Sequence, residues 1–171
     1  AKCQAKLIRL EEDLCMNIDR VSPANRPDGT ALGHQNWRHL LVAHWTCDEE
    51  ILRGKVPQLL SLDRFNGSCY LSIVPFTIPM MRATAVPPIP LVSSMHEVNL
   101  RTYVHLQGSD PGVFFFSLDA SNLAAVLGGK SVYHLPYFHA DIDFHVREDA
   151  SGGTVEFRSR RIENPEVEAR F

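Results

Sequence analysis

Apolar and polar residues alternate through 95–106 and again through 112–118, the two-residue period of a β-strand, with Gln107-Gly108-Ser109-Asp110-Pro111 as a turn signal between them. On the first of these strands Glu97, Asn99, Arg101, Tyr103 and His105 share one face, and Val98, Leu100, Thr102, Val104 and Leu106 the other. Segments 61–65 and 68–76 flank Asn66-Gly67. That pair supplies the two positive φ angles of a type I′ turn, so a hairpin is expected there. A last hairpin is expected from 133–146 and 154–161, around Asp149-Ala150-Ser151-Gly152-Gly153. Residues 78–90 hold Pro79, Pro87, Pro88 and Pro90 and are not expected to form a central strand.

Helical periods are fewer. Leu7, Leu10, Leu14 and Ile18 recur at three- and four-residue steps, predicting an amphipathic helix over 2–18. A Ser-, Pro-, Asn-, Asp- and Gly-rich linker follows, so 1–35 reads as an appendage to a β domain over 36–171. Residues 36–45 suggest a strand, or a strand entering a helix. A short helix is expected over 48–53, capped by Thr46 or Asp48 and ended by Gly54 and Pro57. Another is expected over 121–127, capped by Asp119 or Ser121 and stopped by Gly128-Gly129. Many strands joined by tight turns predict a mostly β fold, a largely antiparallel sheet or barrel.

Composition narrows the function classes. Of 171 residues, 44% are hydrophobic and 22% charged, which fits a globular domain with a real core. Net charge is −3 with no long basic run, so nucleic acid is not an expected partner. No apolar run reaches the ~20 residues of a membrane helix, and the N-terminus lacks a signal-peptide pattern. Cys3, Cys15, Cys47 and Cys69 are scattered without a C-x-x-C, as expected of reduced thiols in a cytoplasmic protein.

Three constellations carry possible chemistry. His139, Asp141, Asp143 and His145 share a strand face and could ligate a metal. However, pairing Phe144 with Phe157 and Val146 with Val155 sets His145 opposite Glu156, Asp143 opposite Arg158 and Asp141 opposite Arg160. That charge ladder needs no metal, and neither a metal nor another cofactor is expected.

The second constellation is the face of Glu97. Pairing Leu106 with Val113 would place Phe114 and Phe116 beside Tyr103 and His105, on the same side as Glu97, Asn99 and Arg101. Phenylalanines there argue for a covered face, as in a barrel wall. Two readings of Arg101 stand open. One makes it a structural pair with Glu97, the other the holder of a ligand anion with Glu97 as proton donor or acceptor. The third constellation, Gly128-Gly129-Lys130-Ser131, lacks the spacing of a phosphate loop, and Lys130 is expected at an exposed helix exit.

The segments VPQLLSLDRFNGSCYLSIVPF, HEVNLRTYVH, PGVFFFSLDAS and HLPYFHADI resemble the YqjF-like family of uncharacterised bacterial proteins, over about 37–161. Members of that family usually continue well beyond the position of Phe171, which leaves two expectations open: the chain lacks terminal strands that would close the sheet, or it continues past Phe171. The family is similar in fold to acetoacetate decarboxylase, which implies a cone-shaped antiparallel barrel or strongly curved sheet around a polar pocket. That enzyme forms an imine through a lysine in a Gly-Tyr-Pro-Lys-Lys segment. Matched to it, His134-Leu135-Pro136-Tyr137-Phe138 puts Tyr137 and Phe138 at the lysine positions, and neither side chain can form an imine. The resemblance also sets Glu97 on the strand of the enzyme's pocket glutamate.

The resulting expectation is a cavity lined by Glu97, Asn99, Arg101, Tyr103, Phe114, Phe116 and Tyr137. It would bind a small anionic or carbonyl-bearing molecule, with Arg101 as anchor. A lyase or isomerase using Glu97 and Tyr137 without an imine is the alternative. A third reading makes the barrel inert and the N-terminal helix a docking element for another protein.

Overall fold

The computed structural model describes residues 18–26, 28–89, 93–149 and 152–171. The helix expected over 2–18 therefore lies, except for Ile18, outside the described residues, as do Cys3 and Cys15. The described chain is mostly β. In order it forms a 3-10 turn (Ser22–Ala24), β1 (Gly33–Arg38), β2 (Ala43–Cys47), α1 (Glu49–Arg53), β3 (Ser61–Leu62), β4 (Cys69–Ala83), β5 (Met95–Leu106) and β6 (Ser109–Ala120). Then come α2 (Leu123–Tyr133), β7 (Tyr137–Asp149), β8 (Gly152–Arg161) and β9 (Glu168–Arg170).

The strands form one curved sheet in the order β1-β4-β5-β6-β7-β8-β9, with β2 added on β4 and β3 on β5. Along that path it is open at both ends. All pairings are antiparallel except β6 with β7, which run parallel because α2 carries the chain back across the sheet.

β4 runs on through Pro79 to Ala83, contrary to the expectation that the proline-rich stretch avoids a central strand, whereas Pro75 lies in the part expected to be a strand. β5 stops pairing at Ile78, and the register with β1 shifts between Asn36 and Arg38. Pro79 thus sits at a bulge where the ladder is already interrupted, and its missing N–H costs little. Residues 36–45 resolve into parts of two short strands, separated by a turn with His39 at φ 51°.

The Asn66-Gly67 turn forms, with φ of 51° and 77°, and Phe65 bridges Ser68. The strand before it nevertheless pairs with β5 rather than β4: Leu62 faces Val104.

The β5–β6 register also differs from the expected one. Gln107 and Gly108 adopt φ of 48° and 90°, making a tight turn directly after Leu106, so that Leu106 already pairs with Ser109. A second shift lies between Leu100 and Arg101, opposite Phe116. Val104 therefore faces Gly112 instead of Phe115, and Thr102 faces Phe114. In consequence Phe114 and Phe116 lie on the face away from Glu97. They pack there against Leu52, Val56, Leu62, Cys69 and Val104, under α1 and the loop after it.

Helix α2 runs through both glycines that were expected to stop it. Asn122 caps it by accepting from the N–H groups of Ala124 and Ala125, and His134 ends it at φ 53°. Gly129 makes room for its neighbour within the helix: a Cβ there would come within 2.3 Å of the Tyr137 ring. Through Val126, α2 covers the Glu97 face of the sheet, burying Val74, Phe76, Ile78, Met95 and Ala120 in a second core.

The final hairpin has the expected register throughout, with Phe144 on Phe157, Val146 on Val155, His145 on Glu156, Asp143 on Arg158 and Asp141 on Arg160. Its charges are shared more widely than strand pairing alone implies. Arg160 pairs Asp141 at 3.4 Å, while Arg158 turns to Glu168 on β9 at 3.1 Å.

Candidate functional site

Glu97, Asn99, Arg101 and Tyr103 follow one another on one face of β5, as strand alternation requires. Register adds their neighbours. Phe76 stands beside Glu97, Val74 beside Asn99, and Ser72 beside Arg101. On the other side Ala120 is opposite Glu97 and Leu118 opposite Asn99. Leu118 in turn pairs with Tyr137 in the parallel β6–β7 step, which brings Tyr137 onto the same face.

Glu97 is 3% exposed and Asn99 4%. The Tyr137 hydroxyl donates to Glu97 Oε2 at 3.1 Å, and Asn99 Nδ2 reaches Glu97 Oε1 at 3.5 Å. Burial penalises the ionised carboxylate and pushes Glu97 up to about 7, although both hydrogen bonds pull the other way. Burial and the neighbouring carboxylate also hold the Tyr137 phenol well above its usual range. A protonated Tyr137 beside a carboxyl that titrates near neutrality can hold or transfer a proton at Glu97 Oε2.

Two atoms here stay unsatisfied. Asn99 Oδ1 and Arg101 Nε are buried without a hydrogen-bond partner. Among the described residues no carboxylate forms an ion pair with Arg101, so the structural Arg101–Glu97 pair is not formed. The Arg101 guanidinium instead lies 5.7 Å from the centroid of the Tyr103 ring. The face thus gathers Glu97, Asn99, Arg101, Tyr103 and Tyr137, whereas Phe114 and Phe116 stand behind it.

Sequence reasoning missed three contributors. His44 is opposite Ser72 on β2, and the two join Tyr103 in a hydrogen-bonded group. The third is Asp119, which binds Arg161 at 2.8 Å across the sheet while Arg161 stacks 3.8 Å over Phe138. A polar residue in an otherwise apolar strand (Ser72 between Leu71 and Ile73) was the available signal, but its partner depends on a loop-determined register.

Residues 34–171 match the family DUF2071, described as an uncharacterized conserved protein. The chain is also 42% identical over 141 residues to the uncharacterized protein YqjF of Bacillus subtilis (strain 168), covering 82% of this chain and 56% of that protein. The chain belongs to the DUF2071 family. It spans about half the length of the relatives it matches.

Among solved structures it is similar to the acetoacetate decarboxylase of Legionella pneumophila, with a TM-score of 0.61 and 16% identity over 88% of this chain and 53% of that one. It is also similar to the enduracididine biosynthesis enzyme MppR complexed with pyruvate, with a TM-score of 0.51 and 12% identity over 71% of this chain and 54% of that one. At these identities the likeness establishes the fold, an acetoacetate decarboxylase-like curved sheet. Among the described residues no helix is long and apolar enough to cross a membrane.

Proposed function

We propose that the Glu97 face binds a small organic molecule bearing a carbonyl or carboxylate group. The observation that carries this reading is the pair of buried, unpartnered atoms beside Glu97: an acceptor, Asn99 Oδ1, and a charged donor, Arg101 Nε. Leaving such groups bare costs about 1–3 kcal/mol each, more for a charged one. A ligand that accepts from Arg101 and donates to, or bridges by water to, Asn99 would recover that cost. The protonated Glu97 carboxyl, which accepts from the Tyr137 hydroxyl, then offers its own proton to a carbonyl oxygen. Support of a general kind comes from MppR, a neighbour in fold that is complexed with a keto acid, pyruvate.

Titration calorimetry with pyruvate, acetoacetate and levulinate tests the proposal. Saturable binding to the wild type that is lost in Arg101→Gln is expected. No binding of any of the three at millimolar concentration would count decisively against it.

A second reading has its own observation, the carboxyl of Glu97 poised near pH 7. Such a group can take a proton from the carbon next to a carbonyl and return it, with the Tyr137 hydroxyl steadying the enolate oxygen. This reading needs no imine. The described lysines, Lys55 and Lys130, are both exposed, and Lys130 lies 5.6 Å from Phe138, on the face behind Tyr137. Deuterium exchange into the methyl and methylene groups of levulinate, followed by NMR, reads this activity. Exchange at equal rates with wild type and Glu97→Gln would exclude it.

A further inference from the structure

Beyond Arg101, the same face carries a group of donors that the carbonyl reading leaves unused. His44 lies opposite Ser72, and Ser72 opposite Arg101, so the three stand in one row across β2, β4 and β5. Tyr103 adjoins the row. His44 Nδ1 and Ser72 Oγ are 2.5 Å apart, Ser72 Oγ donates to the Tyr103 hydroxyl at 3.2 Å, and that hydroxyl is 3.4 Å from His44 Nδ1. The triangle is closed, with the Arg101 guanidinium against the Tyr103 ring.

Two properties set this group apart from ordinary surface polarity. Every member can donate: guanidinium, phenol, hydroxyl and imidazole. None is an obligate acceptor, and among the described residues no carboxylate pairs with Arg101. The group also runs from core to solvent, since Ser72 is fully buried while His44 is exposed. A permanent charge with a buried, unpartnered Nε lacks an anion. A cation would be repelled here, and an apolar group would leave Nε bare.

We propose that Arg101, Tyr103, Ser72 and His44 form a carboxylate subsite at the open end of the face, separate from the Glu97–Tyr137 end. It rests on the ligand-binding reading above and names the ligand class more closely. The Cα atoms of Glu97 and Arg101 are about 13 Å apart at strand rise, and those of Asn99 and Arg101 about 7 Å. One molecule engaging both ends must therefore hold its carboxylate apart from its carbonyl by two or more carbons. A γ-keto acid comes nearer to this span than an α-keto acid does, with the Glu97 and Arg101 side chains reaching over the remainder.

The test reads the His44 ring C–H signals by NMR, identified by their loss in His44→Gln. Acetate is titrated into the intact chain against chloride at equal ionic strength. A saturable shift is expected, weakened roughly tenfold in Arg101→Gln by loss of the charged hydrogen bonds, weakened several-fold in Tyr103→Phe, and unchanged in Arg160→Gln, which removes the same charge from the exposed final hairpin. No saturable shift in the wild type, or full responses in both Arg101→Gln and Tyr103→Phe, would overturn the subsite. Levulinate is then compared with acetate and with pyruvate, and is expected to bind at least about tenfold more tightly than either, as a two-ended contact should. Equal affinity of levulinate and acetate overturns the γ-keto acid assignment and the carbonyl end with it, while the acetate response would still report the anion subsite on its own.

Discussion

The Tyr137 hydroxyl donates to the Glu97 carboxyl at 3.1 Å, joining strands β7 and β5 across forty residues of sequence. Glu97 cannot leave this contact for water, because Phe76, Ala120 and the α2 side of the core surround it. Its proton is therefore part of the fold, and stability should report it.

The sign follows from linkage. Glu97 is raised from 4.5 in the unfolded chain to about 7 in the folded one, so between those values the native state binds more protons. Its contribution is fully present below about 4.5 and is lost as pH rises through 7. At 1.36 kcal/mol per unit the loss is on the order of 3 kcal/mol at most. Urea denaturation at pH 5 and pH 8 should show wild type losing stability across this interval and Glu97→Gln losing far less. An equal pH dependence in both proteins would mean that Glu97 is ionised and solvated.

Gly129 should matter for the same contact. In an ordinary helix Gly→Ala gains up to about 1 kcal/mol. Here the new Cβ would meet the Tyr137 ring at 2.3 Å, and that ring is held by Glu97. Overpacking of about 1–3 kcal/mol should win, making Gly129→Ala a net destabilisation in urea. Adding Tyr137→Val removes the ring and should turn the same Gly129→Ala change neutral or stabilising. A stabilised Gly129→Ala single variant would show that the ring yields without cost.

Much of this was legible in the sequence, and the residues show why. Strand alternation alone placed Glu97, Asn99, Arg101 and Tyr103 together, since face membership needs only a local period. The β7–β8 register was legible too, because Phe144, Val146, Phe157 and Val155 and the charges beside them admit one good pairing. The β5–β6 register was not. It turns on Gln107 adopting φ 48°, which no alternation encodes, and on a bulge at Phe116, opposite the Leu100–Arg101 step. That slip moved Phe114 and Phe116 to the opposite face. His44 escaped for the related reason that β2 docks on β4 from a separate short segment.

Exposed charges in the final hairpin offer a contrast with buried ones. Asp141 and Arg160 meet at 3.4 Å with side chains 60% and 49% exposed. Water screens such a pair, and its net worth is about 0–1 kcal/mol. Asp141→Asn should therefore shift the urea midpoint barely, and high salt should erase even that. A loss of several kcal/mol would point instead to a role beyond the charge ladder.

Asp119 and Arg161 should behave in the opposite way. Their side chains are 12% and 17% exposed, Arg161 Nε lies 3.0 Å from both carboxylate oxygens, and the guanidinium covers Phe138 at 3.8 Å. The pair spans β6 to β8 over the first residues of β7, beside the single parallel step of the sheet and directly behind Tyr137. Removing one partner leaves the other charge buried and bare, which typically costs 3–5 kcal/mol. Asp119→Asn should lose about that much, whereas Asp119→Leu with Arg161→Met should lose clearly less, because no charge is then stranded. The fold positions Tyr137 through this clamp, so Asp119→Asn should also lower the apparent titration of Glu97 by loosening the buried contact that raises it. Carbon-13 NMR of the Glu97 carboxyl in both variants measures this directly. An unchanged titration beside a large stability loss would separate the clamp from the site it backs.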